Sequence, residues 1–377
     1  MRQLSYVKPR TLRWVDVAAP TLLAPTDAVV RPFVAARCDG DAICLTHDYE
    51  RAIRIGAAFH VLDPELRDRA TNPFLGPFAY GHECVAEVVS VGDDVRSVRV
   101  GDRVIVPWAV SCGACARCRR GLTSKCEVAG STLSAFGFGE AFGRFGGMVS
   151  DALRVPFADA MLVVVPAHVD SLAVASASDN LVDAYRAVGP ALERNPGAPV
   201  LVVGGGAKSI GLYAAGLAAA LGASRVDYVD TSTTRLDTAA ALGANPIRRE
   251  RGASWWKRGE PLLRGGYAIS VEASSETSGL LYALAALEPG GECTAIGFYM
   301  RKGTPLPLWQ MYLKSVVLHV GVSHVRAHLP AVLDIVARGA FDPRKVGGIV
   351  ADWDDAPRAL CERATKVVIT RKRDAAI

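Results

Sequence analysis

Four cysteines lie within fifteen residues of one another in the segment CGACARCRRGLTSKC, residues 112–126, with the spacing C-x2-C-x2-C-x7-C. Four thiolates match the tetrahedral coordination of zinc, and structural zinc sites are usually closed by four protein ligands. The short spacers let the first three cysteines surround one ion, and the longer spacer returns the fourth. We therefore expect a structural zinc site formed by Cys112, Cys115, Cys118 and Cys126.

Basic residues in the same segment allow a second interpretation, a module that binds nucleic acid. These residues are Arg117, Arg119, Arg120 and Lys125. A dedicated nucleic-acid-binding protein concentrates a larger basic charge on one face. The net charge of this chain is only +5 over 377 residues, and no second module accompanies the first. We therefore expect no nucleic-acid partner.

Composition and length favour large buried cores. Half of the residues are hydrophobic and 21% are charged, and the length suits about two domains. The N-terminal segment MRQLSYVKPRTLRW lacks the apolar core and cleavage site of a signal peptide, and no run of about 18 apolar residues is present. The nine cysteines are an odd number. We therefore expect reduced thiols, a cytoplasmic location and no membrane partner.

The chain changes character along its length. To about residue 168 it is rich in short strand-like runs, such as ECVAEVVSVG and DRVIVPWAV. Beyond that point strands alternate with helices: the apolar strand of PVLVVGG precedes an alanine-rich helix, and RVDYVD, YAISVEAS and ECTAIGF follow as strands. This alternation predicts an α/β fold with a parallel, doubly wound sheet.

A nucleotide site is predicted where the first of these strands meets its helix. The turn GGGAKSIG contains Gly204, Gly206 and Gly211, which let the backbone approach a pyrophosphate at the helix N-terminus. The spacing departs from G-x-G-x-x-G, because four residues separate Gly206 from Gly211. Asp230 ends the next strand, where a carboxylate accepts hydrogen bonds from the adenosine ribose and repels a 2′-phosphate. We therefore expect NAD in preference to NADP.

Three motifs together resemble the medium-chain dehydrogenase/reductase family, in its zinc-dependent alcohol dehydrogenase branch. CDGD at 38–41, GHECVAEVVSVGDDV from residue 81, and the cysteine-rich segment follow one another in the family's order, and the resemblance covers essentially the whole chain. It implies a GroES-like β-barrel catalytic domain over 1–168, an NAD-binding Rossmann domain over 169–325, and a return to the catalytic domain over 326–377. It also implies that the four-cysteine segment is a folding clip and not the reaction site.

The resemblance further implies a second, catalytic zinc ion, giving two Zn²⁺ per chain. Its expected ligands are Cys38, His82 and Asp179, which leave a fourth position open for substrate. Glu83 is expected to approach this metal, and Asp41 to orient His82 as a hydrogen-bond acceptor. Arg235 lies where the family often has a basic residue near the adenosine ribose. The expected NAD-binding residues are Gly204, Gly206, Ser209, Ile210, Gly211, Asp230 and Arg235.

Two features depart from the family's pattern. The hydroxyl residue that relays the alcohol proton is replaced by Gly40, and the later relay histidine by Ile43. An insertion, residues 46–80, separates the first two expected zinc ligands and is expected to form a helical flap over the substrate cleft. Its aromatic residues are expected either to line an apolar substrate pocket or only to pack the insertion onto the barrel; they are Phe59, Phe74, Phe78 and Tyr80.

The leading functional hypothesis is a zinc- and NAD-dependent oxidoreductase that transfers hydride between an alcohol, or an aldehyde hydrate, and NAD(H). The missing relay hydroxyl motivates an alternative, a biosynthetic reductase of the same fold that acts on a C=C, C=N or carbonyl group. A third hypothesis is a non-enzymatic protein that binds zinc and nucleotide. The expected partners are a small-molecule substrate and, by resemblance, further copies of the chain in a dimer or tetramer.

Overall fold

The structure is a computed structural model, and it describes residues 1–46, 55–56, 59–60, 74–130, 133–250, 266–300 and 302–373. The strands are β1 (Arg2–Lys8), β2 (Thr11–Asp16), β3 (Ala28–Ala36), β4 (Phe78–Ala79), β5 (Glu83–Val91), β6 (Arg103–Ile105), β7 (Leu153–Val155), β8 (Val163–Val164), β9 (Val200–Val203), β10 (Val226–Asp230), β11 (Asn245–Arg248), β12 (Tyr267–Glu272), β13 (Leu287–Ala295), β14 (Val317–Val320), β15 (Ile349–Asp352) and β16 (Val367–Thr370).

The helices are α1 (Asp41–Thr46), α2 (Ala116–Arg119), α3 (Ala158–Met161), α4 (Asn180–Arg194), α5 (Lys208–Ala220), α6 (Thr233–Ala241), α7 (Thr277–Ala285), α8 (Leu308–Lys314), α9 (Val325–Ala337) and α10 (Ala356–Ala359). Among the helices of the described ranges, none is both long enough and apolar enough to cross a membrane.

The chain forms two compact units. The first comprises Met1–Val182, Ser323–Gly339 and Gly348–Ile377, and the second comprises Asp183–Val322 and Ala340–Gly347. The domain bounds expected from the sequence, 1–168, 169–325 and 326–377, stay a prediction. The assignment of a catalytic or an NAD-binding role to these segments stays a prediction.

The first unit contains a largely antiparallel sheet in the order β15-β16-β3-β5-β6-β8, with β7 added to β3, and a smaller sheet in the order β2-β1-β4. Strand β3 pairs with both β16 and β5, and all of its residues except Arg31 are buried. Its Pro32 lies at an irregularity in the register with β5, where a missing N–H donor is tolerated. The same pairing places Ala36, the last residue of β3, opposite Glu83, the first residue of β5.

The second unit contains a six-stranded sheet in the order β11-β10-β9-β12-β13-β14, in which every neighbouring pair is parallel. Strand β9 (VLVV) is buried at all four residues, as expected for a strand covered on both faces. The strand order reverses at β9, and the carboxyl ends of β9 and β10 carry Gly204 and Asp230. Ligands of doubly wound sheets bind at such a switch point. The predicted α/β fold with a parallel doubly wound sheet is thereby confirmed.

Candidate active site and metal centres

The register between β3 and β5 brings two predicted zinc ligands together. Cys38 lies two residues beyond β3, and His82 immediately precedes β5, so the pairing of Ala36 with Glu83 places both at the same end of the strand pair. The third predicted ligand, Asp179, follows Ser178. The hydroxyl of this buried serine accepts from the backbone N–H of Cys84 at 3.0 Å and donates to its carbonyl at 3.1 Å. Asp179 is therefore fixed beside the start of β5.

Cys38, His82 and Asp179 form one cluster, in which the three candidate ligand atoms lie within 4.8 Å of one another. The Sγ atom of Cys38 donates to Oδ2 of Asp179 at 3.1 Å, and Nε2 of His82 lies 3.6 Å from the same oxygen. A thiolate, an imidazole and a carboxylate are the ligand types that zinc prefers, and three protein ligands leave one position for substrate. The donor set therefore fits a catalytic zinc ion.

Burial and charge govern protonation at this cluster. Burial lowers the pKa of His82, but the carboxylates of Asp41 and Asp179 outweigh it and raise the pKa to about 9. Burial raises the pKa of the Cys38 thiol well above its usual value, and the same two carboxylates add to the rise. Because metals bind the thiolate and the neutral imidazole, metal binding at this cluster must release protons.

Asp41 lies on the side of His82 opposite to Asp179. Its Oδ1 is 3.7 Å from Nδ1 of His82, too long for a hydrogen bond, and within the described chain that nitrogen has no hydrogen-bond partner. Its Oδ2 accepts from the hydroxyl of Tyr80 at 3.0 Å and from the backbone N–H of Cys38 at 3.3 Å. Asp41 thus lies beside the imidazole, and its expected role as the acceptor that orients His82 stays a prediction.

Glu83 is fully buried beside the cluster and is paired with a residue that was not predicted, Lys366. The ammonium group of Lys366 donates to Oε2 of Glu83 at 2.6 Å and to Oδ1 of Asn180 at 2.8 Å. Asn180 in turn donates its side-chain N–H to Sγ of Cys38 at 3.0 Å and to Oδ2 of Asp179 at 3.1 Å. This network fixes two of the candidate ligands, and the expected approach of Glu83 to the metal stays a prediction.

Aromatic side chains cover one face of the cluster. Phe138 stacks on His82 with 4.6 Å between ring centroids and an interplanar angle of 21°, and Trp108 meets Phe138 edge-on at 5.9 Å. In the described part of the insertion, Phe78 stacks on Tyr6 at 4.9 Å. Tyr80 is buried, and its hydroxyl donates to Asp41. These contacts of Phe78 and Tyr80 therefore lie within the first unit. Most of the 46–80 insertion, and with it the expected helical flap, lies outside the described residues.

The four cysteines of the 112–126 segment form the second cluster, again with all ligand atoms within 4.8 Å. Backbone N–H groups point at the sulfurs: Cys115 donates to Sγ of Cys112 at 3.4 Å, and Cys118 donates to Sγ of Cys115 at 3.4 Å. Backbone N–H groups of Glu127 and Cys118 lower the pKa of Cys115 to about 6. The loop therefore favours a thiolate at Cys115, whereas burial raises the pKa of Cys112, and that of Cys118 to about 12. Zinc binding by all four thiolates would therefore release protons from these two thiols.

The glycine-rich turn after β9 is closely packed in the second unit. A Cβ atom on Gly204 would lie 2.6 Å from Oδ2 of Asp230, and one on Gly206 would lie 2.7 Å from the hydroxyl of Ser275. A larger residue at either position would require these side chains to move. The three remaining predicted residues of the turn, Ser209, Ile210 and Gly211, lie in the first turn of α5 and are buried.

Asp230 ends β10 as expected, but its carboxylate is already engaged. Arg235 donates two hydrogen bonds to it, from Nε to Oδ2 at 2.7 Å and from Nη2 to Oδ1 at 2.6 Å. The hydroxyl of Tyr228 also donates to Oδ2 at 3.0 Å. The two residues predicted to meet the adenosine ribose therefore form a bidentate ion pair with each other, which the sequence did not predict.

Comparisons with known proteins agree with this architecture. The family model described as "Alcohol dehydrogenase GroES-like domain" matches residues 25–167, and the one described as "Zinc-binding dehydrogenase" matches residues 209–338. A probable zinc-binding alcohol dehydrogenase of Mycobacterium tuberculosis is 32% identical over 290 residues, which cover 76% of this chain and 71% of that protein. An L-threonine 3-dehydrogenase of Vibrio vulnificus is 26% identical over 79% of this chain and 77% of its own.

Among solved structures, the alcohol dehydrogenase TADH from Thermus sp. ATN1 is similar to this chain, with a TM-score of 0.80 and 28% identity over 98% of this chain and 99% of the other. The expected GroES-like domain is confirmed by the first family match, and the expected family by both family matches together with the mycobacterial relative. The chain therefore belongs to the zinc-dependent medium-chain dehydrogenase/reductase family and is an oxidoreductase.

Proposed function

We propose that this oxidoreductase transfers hydride between an alcohol, or an aldehyde hydrate, and NAD(H), with a catalytic zinc ion held by Cys38, His82 and Asp179. The observation that supports the proposal most strongly is the clustering of these three ligand atoms within 4.8 Å at one end of the β3–β5 pair. A zinc ion held by these three residues would supply a Lewis acid for the substrate oxygen, and a bound nicotinamide would supply the hydride acceptor or donor.

The side chains around the cluster have separate tasks in this proposal. Cys38 and Asp179 supply the two negative charges that balance Zn²⁺, and His82 binds as the neutral imidazole. Asp41, whose Oδ1 lies 3.7 Å from Nδ1 of His82, would orient the imidazole by accepting from that nitrogen after a small approach of the two groups. Phe138 covers one face of the ring and keeps water away from it. The ion pair between Lys366 and Glu83 neutralises a further carboxylate, so that the cluster carries no surplus negative charge from Glu83.

Two zinc ions per chain are part of the proposal, the second held by the four cysteines of the 112–126 segment. Metal analysis of the purified protein tests the count, and turnover of NAD with a panel of primary and secondary alcohols and aldehydes tests the reaction. We expect close to two zinc ions per chain and NADH formation with at least one member of the panel. A protein with two zinc ions that oxidises no alcohol, yet reduces a C=C, C=N or carbonyl compound, would favour the alternative reductase.

Restoring the absent relay hydroxyl distinguishes alcohol oxidation from the alternative reductase. Gly40 lies in the turn between Cys38 and α1, where its N–H donates to the Cys38 sulfur at 3.3 Å. General acid–base assistance is typically worth about 10²- to 10⁴-fold. If alcohol oxidation is the reaction, Gly40→Ser should raise its rate near neutral pH by about 10²-fold or less, since water already carries part of the proton flow.

The matched control for this prediction is Gly40→Ala, which adds the same Cβ atom without the hydroxyl. Rates of both variants are measured against pH in the oxidative and the reductive directions. A Gly40→Ser rate that equals the Gly40→Ala rate in oxidation at every pH would contradict alcohol oxidation and support the reductase.

We propose NAD as the preferred cofactor. The ion pair between Asp230 and Arg235 makes the preference over NADP smaller than a free carboxylate at Asp230 would give. A 2′-phosphate near the end of β10 would meet a carboxylate whose charge is largely balanced by the guanidinium 2.6–2.7 Å away. We expect kcat/KM to favour NAD by about tenfold, equivalent to ~1.4 kcal/mol. Arg235→Gln leaves the carboxylate uncompensated and should increase that ratio.

The control for the cofactor prediction is Arg225→Gln, which breaks a comparable ion pair with Asp227 at the opposite end of β10. It should leave the ratio of the two kcat/KM values unchanged. Equal kcat/KM values for NAD and NADP in the parent protein would contradict the preference for NAD, and an unchanged ratio in Arg235→Gln would contradict the influence of the ion pair.

A homo-oligomer is proposed from the exposed apolar surface of the second unit. Strand β14 is an edge strand of the six-stranded sheet in the described chain, and its Val320 is 74% exposed. On α8, Trp309 and Tyr312 are 69% and 74% exposed and stack on each other at 5.6 Å. Exposed apolar edge strands are usually covered in native proteins, and large apolar patches mark interfaces.

Sedimentation velocity of the Val320→Lys variant tests this assembly. A charge on the edge strand should shift the protein towards monomer, whereas Leu23→Lys, a change at an equally exposed leucine of the first unit, should not. A parent protein that sediments as a single 39.9 kDa species would contradict the oligomer.

A further inference from the structure

The two oxygens of the Asp179 carboxylate have different surroundings. Oδ2 faces the candidate metal cluster, where it accepts from Sγ of Cys38 at 3.1 Å and lies 3.6 Å from Nε2 of His82. Oδ1 points away from that cluster and accepts from the hydroxyl of Ser323 at 2.9 Å. The carboxylate thus has one oxygen that faces the cluster, where Asn180 also donates to it at 3.1 Å, and one that is held by a distant segment of the chain. The Ser323 bond is the contact on the side away from the candidate ligands.

The direction of the Ser323 bond is fixed by a third residue. The indole N–H of Trp108 donates to Oγ of Ser323 at 3.0 Å, and an indole nitrogen can only donate. The single hydroxyl proton of Ser323 is therefore not directed at Trp108 and is available for Asp179. Ser323 and Trp108 are 5% and 6% exposed, so water competes little for either group. A buried hydroxyl that donates to a carboxylate forms one of the stronger hydrogen bonds in proteins.

The backbone at Ser323 is held by the four-cysteine segment. Ser124, two residues before Cys126, donates its hydroxyl to the carbonyl oxygen of Ser323. Its backbone N–H donates to Nδ1 of His324 at 3.3 Å, at the N-terminus of α9. These contacts lie within the first unit and place the Ser323 hydroxyl independently of the candidate catalytic cluster.

We infer that Ser323 is a positioning residue for Asp179: its hydroxyl fixes the carboxylate so that Oδ2 is directed towards the metal. The inference rests on the proposed role of Asp179 as a zinc ligand and adds a residue 144 positions away in the sequence. Partners of metal ligands that donate or accept a second hydrogen bond are typically worth about 10- to 100-fold in metal affinity. Ser323→Ala should therefore weaken metal binding at this cluster by at least about tenfold.

Cobalt provides the test, because its visible spectrum reports the geometry of the ligands. The full-length protein, with zinc retained in the four-cysteine site, is titrated with Co²⁺ at the Cys38–His82–Asp179 cluster in competition with a chelator. Ser323→Ala should lower the affinity and change the visible spectrum, and Ser323→Thr, which keeps the hydroxyl, should restore both. Ser150→Ala is the matched control, since it removes another fully buried serine hydroxyl, bonded to the carbonyl of Ala152 at 2.9 Å.

The loss of a buried hydroxyl also lowers stability, so thermal unfolding of the Ser323→Ala and Ser150→Ala variants is compared. A cobalt affinity and spectrum of Ser323→Ala equal to those of the parent protein would overturn the inference, as would an equal loss of affinity in Ser150→Ala. Asp179→Asn separates the inference from the proposed function. If Asp179→Asn weakens cobalt binding while Ser323→Ala does not, only the role of Ser323 is wrong; if Asp179→Asn binds cobalt as the parent does, the proposed ligand set is wrong as well.

Discussion

The Cys115→Ser variant should lose one zinc ion and much of its folding stability. Cys115 is the thiol that the loop favours as a thiolate, and its sulfur also accepts from the N–H of Cys118 at the start of α2. Zinc binding to such sites contributes about 10–16 kcal/mol of free energy in small zinc-dependent domains. The free energy of unfolding of a whole domain is only about 5–15 kcal/mol. Losing one of four ligands should therefore lower it by several kcal/mol.

Denaturant unfolding and zinc analysis of the same preparation measure this effect. The matched control is Cys361→Ser, because Cys361 is a partly buried cysteine of the first unit that belongs to neither metal cluster. The control should retain both zinc ions and unfold close to the parent. A Cys115→Ser protein that lacks one zinc ion and yet unfolds at the parent's denaturant concentration would show that the four-cysteine segment does not support the fold.

The four-cysteine cluster was predictable because its geometry is local. Short spacers restrict four thiols to one small volume whatever the rest of the chain does, and the structure brings all four within 4.8 Å. The parallel sheet was predictable for a similar reason, since apolar strands such as β9 alternate with helices along the sequence. In both cases the information lies within a few tens of consecutive residues.

The surroundings of the Cys38–His82–Asp179 cluster were not predictable, because they come from remote segments. Lys366 lies 283 residues beyond Glu83, and Ser323 lies 144 residues beyond Asp179. A single lysine before an apolar strand, or a single serine before a helix, has no spacing that indicates a partner. The stacking of Phe138 on His82 is hidden in the same way. The resemblance to a family indicated the candidate ligands, but only the fold shows which residues contact them.

The nucleotide turn illustrates an intermediate case. The sequence predicted that Asp230 ends a strand, and in the structure Asp230 is the buried last residue of β10. Its ion pair with Arg235 depends on how the loop after β10 turns into α6, since five residues separate the two groups. Periodicity within a helix or a strand does not predict that turn. The structure was therefore needed to show that a cofactor at this position would meet an ion pair and not a single carboxylate.

His82→Gln should have the opposite effect to Cys115→Ser: little change in stability and a large loss of activity. His82 contributes the imidazole of the Cys38–His82–Asp179 cluster, and glutamine keeps a polar side chain of similar length between Asp41 and Asp179. Even the outer partners of metal ligands are worth about 10- to 100-fold, so removing a ligand should lower kcat/KM by about 10³-fold or more. The variant should still unfold close to the parent, because the four-cysteine site is intact.

The comparison between the two variants tests the roles of the two metal sites more sharply than either variant alone. Each variant should retain about one zinc ion per chain, so the metal count alone does not distinguish the two variants. They differ in what accompanies the loss of zinc, which should be a loss of stability in Cys115→Ser and a loss of activity in His82→Gln. His168→Gln is the control for the imidazole, because His168 lies in the first unit and bonds the carbonyl of Ala337 at 3.1 Å. It should keep both zinc ions and the parent kcat/KM with NAD and the best alcohol of the panel. If His82→Gln retained the parent kcat/KM with two zinc ions bound, the reaction would not depend on this imidazole, and the proposed ligand set would have to be abandoned.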